Sequence, residues 1–168
     1  MGAVCKLIDA VLFLYFALMA IVAPLIDSQM SLPGDIYPAF LVDLNRWYID
    51  EFGDYLAKEK PHFLVGLIWN ELLLLWPLSI VNVYAILAGK SWFSTTSMVY
   101  GASVVTSMAA ILGEMIGSGK ASEKLLMIYV PFMGIGILAL LRGLLAQSNK
   151  SGGAVGKRPA ILARRKRA

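Results

Sequence analysis

FLVGLIWNELLLLWPLSIVNVYAILA, from Phe63 to Ala88, is the stretch whose reading decides the fold. It is apolar for long enough to cross a bilayer. Within it stands Glu71, and a carboxylate at that depth is costly unless it faces a protein interior or a polar cavity. Glu71 lies eight residues past Phe63, about 12 Å along a helix at 1.5 Å per residue. Pro77 follows, and a proline there removes the bond to the carbonyl of Leu73 and kinks the helix.

Three further runs have the same character: Ala10 to Ile26, Ser97 to Ile116 and Leu125 to Ala146. The chain of 168 residues is 58% hydrophobic, more than a soluble domain of this size hides. Spans must be helical, because lipid satisfies no free backbone group. The fold class is therefore an all-α membrane protein. Residues 1–146 form one four-helix bundle and residues 147–168 a basic, disordered tail ending RRKRA. The first run reads as a retained helix, starting near Lys6, rather than a signal peptide: extended so, it contains Asp9 and lacks a small-x-small cleavage site. Cys5 is the single cysteine, so no internal disulfide is possible.

An even number of spans puts both termini on one side. That side holds ten of the basic residues, including Lys90, Arg142 and Arg164 to Arg167, against five on the other. The positive-inside rule then places the termini in the cytosol and the long loop from Asp27 to His62 in the lumen or exterior. In this loop Phe40, Leu44, Trp47, Tyr48 and Phe52 fall roughly on one helical face, opposite Asp43, Arg46 and Asp50. A short amphipathic helix stopped by Gly53 is expected, lying along the membrane as a lid.

With this orientation Asp27 and Glu71 fall in the same half of the bilayer. Pro24, Pro77 and Pro131 bend three of the helices, leaving room for a cavity. The alternative is that Glu71 and Asn70 only bind helices together. Asp9 and Glu114 are expected near helix ends, snorkelling or facing water, and Arg142 marks the cytosolic end of the fourth run. The third run is rich in small residues, with Gly113 and Gly117 as a GxxxG, and forms a close helix contact within the bundle or between protomers. No HExxH, CxxC pair, nucleotide loop or Ser/His/Asp set is present, so no metal or cofactor is implied. The basic tail lacks interleaved aromatics and does not point to nucleic acid; affinity for anionic membrane lipid accounts for it better.

Five blocks occur in an order that resembles a known family: LIDSQ at Leu25 to Gln29, LPGDIYP at Leu32 to Pro38, RWYIDEFGDYL at Arg46 to Leu56, NELLLLWP at Asn70 to Pro77 and IYVPF at Ile128 to Phe132. Together they are similar to the sigma-2 receptor family within the EXPERA group, which includes the emopamil-binding sterol isomerases. The resemblance implies an endoplasmic-reticulum protein that binds sterols and hydrophobic amines, and a homodimer through the third helix. By matching motifs, Asp27 resembles the amine-pairing acid, Asp54 the acid hydrogen-bonded to it, and Glu71 the acid of the second helix. Trp47, Tyr48, Tyr129 and Pro131 match positions near the family's cavity, and Phe132 stands where some members carry Tyr. The isomerases of the group use a His one turn before the matching Glu. This chain has Leu67 there, so binding is expected rather than catalysis, with sterol isomerisation as the alternative.

Overall fold

A computed structural model describes residues 3–155, with side chains through residue 146. Helix α1 covers Ala3–Leu25 and ends in a 3-10 turn at Asp27–Met30. The loop helix α2 covers Ala39–Phe52 and a short α3 covers Tyr55–Glu59. The second span is α4, His62–Asn70, a π-helical turn at Glu71–Leu75, and α5, Trp76–Leu87. Helices α6, Phe93–Ser118, and α7, Glu123–Val155, complete the bundle. Among the described residues, four segments are long and apolar enough to cross a membrane: Ala3–Met30, His62–Leu87, Phe93–Ser118 and Glu123–Ala146. The all-α, four-span expectation therefore holds. The residue expected to begin the tail, 147, does not end the helix, since α7 continues to Val155. The remainder of the expected tail, 156–168, lies outside the described residues.

The prolines act as their chemistry requires, with one difference. Pro24 cannot donate to the carbonyl of Ala20, and the indole Nε1 of Trp76 donates to that carbonyl instead, at 3.0 Å. Ahead of Pro77 the second span widens rather than simply bending: the Trp76 N–H reaches back to the Glu71 carbonyl, closing a π turn. Helix α2 stops as expected at Gly53, which takes a left-handed φ of 64°.

Small residues of α6 are used inside the bundle. A Cβ on Gly101 would strike the backbone of Leu140, and the carbonyl of Gly136 would lie only 2.6 Å away. Beside it the Ser97 hydroxyl donates to the Ala139 carbonyl at 2.9 Å. Gly101→Ala is thus expected to force α6 from α7 and cost about 1–3 kcal/mol by overpacking. Thermal unfolding in detergent reads the loss. Gly134→Ala, where a Cβ meets nothing within 4 Å, is the control and should be neutral or slightly stabilising.

Two apolar clusters form the core. One gathers Leu12, Phe16, Leu75, Phe93, Tyr100 and Val104. The other lies toward α2 and gathers Leu56, Leu64, Ile111, Met115 and Leu125. Outward-facing positions stay apolar, as Leu73, Leu87, Ile116 and Met127 show by their exposure. Lipid tolerates such a surface and water does not.

Candidate functional site

Between the two clusters lies a cavity of about 320 Å³. It takes Leu75, Tyr100 and Val104 from one cluster and Leu64 and Ile111 from the other. This volume falls in the lower range of small-molecule sites. Its polar groups are few: Asp27, Asn45, Tyr48, Glu71 and Tyr129 toward α2, Ser107 on α6, and Tyr15 and Tyr100 deeper in the bundle.

Asp27 is carried by the 3-10 turn that ends α1. That turn is pinned by Gln29, whose amide donates to the carbonyls of Leu25 and Leu41 at 2.7 and 3.3 Å. The Lys60 ammonium donates to the Gln29 carbonyl at 2.8 Å. Glu71 opens the π turn of the second span and faces the same cavity. Both acids are half-buried. Neither carboxylate has a hydrogen bond to the protein among the described residues. Asn70, by contrast, does bind helices together, its amide donating to the Ser103 hydroxyl at 3.0 Å.

Asp54 is fully buried but does not line the cavity. It caps α3 by accepting the Ala57 N–H at 3.0 Å. Its other oxygen accepts the Tyr129 hydroxyl at 2.7 Å and the Tyr48 hydroxyl at 3.3 Å. No hydrogen bond joins it to Asp27 among the described residues, so the acid-to-acid bond implied by the resemblance is replaced by two phenol bonds. Burial and the adjacent Asp54 carboxylate push the Tyr48 hydroxyl above its ordinary value. Tyr48 therefore keeps its proton throughout the physiological range.

Two expected cavity residues are not in the lining. Trp47 is 57% exposed on α2 and Pro131 lies on the outer face of α7. The reason is a rotation of α2 relative to the aromatic face read from the sequence. Leu41 and Asn45 turn inward, with Tyr48 and Phe52 half-buried behind them, while Phe40, Leu44 and Trp47 turn outward. That outer stripe suits a membrane interface. At Pro131 it is the next residue, Phe132, that enters the cavity.

Residues that sequence reasoning missed are Tyr15, Asn45 and Tyr100. Tyr15 and Tyr100 stack edge to face with centroids 6.1 Å apart, and no motif marked either. At the opposite end of the bundle, Asp9 and Arg142 face each other rather than water. They form a bidentate pair at 2.7 and 3.0 Å, with side chains only 14% and 11% exposed. Arg142 also lies over the Phe93 ring. No His/Cys/Asp/Glu cluster fit for a metal occurs among the described residues.

Fold and site together define a class: a multi-span helical membrane protein with a small-molecule-sized cavity whose polar groups are mainly acids and phenols. A family profile described as EXPERA (EXPanded EBP superfamily) matches residues 40–143, and the chain belongs to that family. It is 31% identical over 153 residues to sigma intracellular receptor 2 of Xenopus tropicalis, covering 83% of this chain and 90% of the relative. To sigma intracellular receptor 2 of Homo sapiens it is 26% identical over 152 residues, covering 81% and 86%. These relatives bear the names of receptors, not enzymes.

Proposed function

We propose that this protein is a receptor-like membrane protein that takes sterols and hydrophobic cationic amines into the cavity between its spans and acts in sterol or lipid homeostasis or trafficking. The supporting observation is the pair Asp27 and Glu71: two carboxylates that open into an apolar cavity and have no hydrogen-bond partner among the described residues. A built cavity that leaves acids unsatisfied favours a guest with a cationic or hydrogen-bonding head and a greasy body. The receptor names of the relatives support the same reading. Catalysis is disfavoured by Leu67, which faces the cavity one turn before Glu71 and offers no proton-transfer group.

The reading extends to placement and partners. It puts the protein in the endoplasmic-reticulum membrane with both termini cytosolic. It also pairs two copies through α6, where Gly113 and Gly117 look onto open space and would admit a second backbone closely.

The test uses the full chain in lipid nanodiscs with a photoreactive sterol. Labelling of peptides from α4, α6 and the Asp27 turn, suppressed by a cationic amphiphile, is expected. Labelling confined to outward-facing residues such as Leu73 and Ile116 would overturn the proposal. In the same sample a delta-8 sterol should be recovered without isomerisation; turnover would favour the enzymatic alternative.

A further inference from the structure

The walls of the cavity are not sealed equally. Between α1 and α5 the Trp76 indole donates to the Ala20 carbonyl. Between α6 and α7 the backbones meet at Gly101 and Gly136, with Ser97 bonded across to Ala139. Between α7 and α1 the rings of Phe132 and Tyr15 meet edge to face, 6.2 Å between centroids. Between α5 and α6 the Thr96 hydroxyl donates to buried Asn82 at 2.6 Å. At the loop end, Lys124 pairs with Glu51 at 2.6 Å and Lys120 with Glu59 at 3.2 Å, tying α2 and α3 to the bundle.

The seam between α4 and α6 differs. Along its outside runs a groove lined by Leu67, Asn70, Ala102, Ser103, Thr106 and Ser107. Leu67 and Ser107 line the cavity as well, so one layer of side chains separates groove from cavity. Ala102 and Thr106 are exposed, on a surface that elsewhere presents Leu73, Leu87 and Ile116. The groove is therefore paved with short side chains. The Asn70 amide spans it, donating to the Ser103 hydroxyl at 3.0 Å. Asn70 is the last residue of α4, and the π turn follows at once. There the regular helical ladder is interrupted, and a helix bends most readily at such a point.

We infer that this seam is the lateral portal through which a guest passes between bilayer and cavity, with Asn70 and Ser103 as its latch and Leu67 as the side chain that swings aside. The inference rests on the sterol binding proposed above and adds the route and the guest shape. An apolar guest is already dissolved in the bilayer and reaches this seam without crossing the tied loop end. Short side chains on α6 let a flat, rigid ring system lie close against the helix. The opened latch offers an amide and a hydroxyl to the guest's polar head, which reduces the cost of carrying that head through hydrocarbon.

The experiment follows exchange of the photoreactive sterol for unlabelled sterol, with one chain per nanodisc so that pairing through α6 does not enter. Cavity occupancy is read by photolysis at successive times. Asn70→Cys with Ser103→Cys, in a Cys5→Ser background, is joined by a short bis-methanethiosulfonate linker. Exchange should slow about tenfold or more and recover on reduction of the same sample. Glu51→Cys with Lys124→Cys, linked likewise, pins the loop end and should leave exchange unaltered. Ser103→Ala removes the latch acceptor and should speed exchange about fivefold. Its equilibrium occupancy should not change, because entry and exit quicken together. Slowing by the loop-end linker alone, by both linkers alike, or by neither overturns the portal. A Ser103→Ala variant with altered occupancy and unaltered exchange makes Ser103 part of the binding site and overturns the latch. If the wild type shows no labelling of the cavity at all, the underlying function fails instead.

Discussion

Asp27→Asn is expected to weaken binding of a cationic amphiphile by roughly 30-fold or more, while a neutral sterol loses threefold or less. Removing one member of a desolvated charge pair costs on the order of 2 kcal/mol or more, and each 1.4 kcal/mol is tenfold. No neighbour is freed to compensate, because the carboxylate has no hydrogen-bond partner among the described residues. For the same reason the fold should not suffer: the turn is held by Gln29 and Lys60, and Asn is isosteric with Asp. The sterol hydroxyl is neutral and accepts an amide as readily as a carboxylate. Competition binding with both ligand classes on one preparation checks the result. Equal losses for amine and sterol would mean that Asp27 shapes the cavity rather than pairing with charge, and an unaltered amine affinity would remove it from the site.

The largest effect on stability is expected at the far end of the bundle. Arg142→Leu strands Asp9 in a nearly buried position on α1, and breaking such a pair costs about 3–5 kcal/mol. The double variant Asp9→Leu with Arg142→Leu should recover most of that loss, since two apolar side chains at this depth suit both the bundle and lipid. Thermal unfolding in detergent of the two single variants and the double completes the cycle. Additive losses would show that the two side chains are not coupled. Recovery is the outcome that the bidentate geometry requires.

These two sites differ in how far the sequence revealed them. Glu71 was legible because one carboxylate in a long apolar run has few affordable destinations. Four spans and the helix stop at Gly53 were legible for similar reasons of length and backbone conformation. The rotation of α2 was not. Its aromatic stripe is visible as a period, but a helix at a membrane interface has two apolar surroundings, and periodicity does not say which stripe meets protein. Trp47 faces outward and Asn45 inward on that account. Pro131 misleads in the same way, being one residue from the side chain that enters the cavity. The pairing of Asp9 with Arg142, and of Asp54 with Tyr129, links residues 133 and 75 apart in sequence, beyond the reach of local pattern.

The wide turn at Glu71–Leu75 also bears on how the second span tolerates change. A turn with one extra residue rotates everything beyond it by about 100° relative to an unbroken α-helix. A single helical wheel drawn from Phe63 to Ala88 therefore misplaces one half: Leu64, Leu67, Ile68 and Glu71 obey one phase, and Ser79, Asn82 and Ala85 another. Rewinding the LLLL run as an ordinary α-helix, with no residue removed, would bring the halves into a common phase. Either Glu71 would leave the chamber or the buried seam of α5 would turn toward lipid. The wide winding of that leucine run keeps both halves pointing the right way.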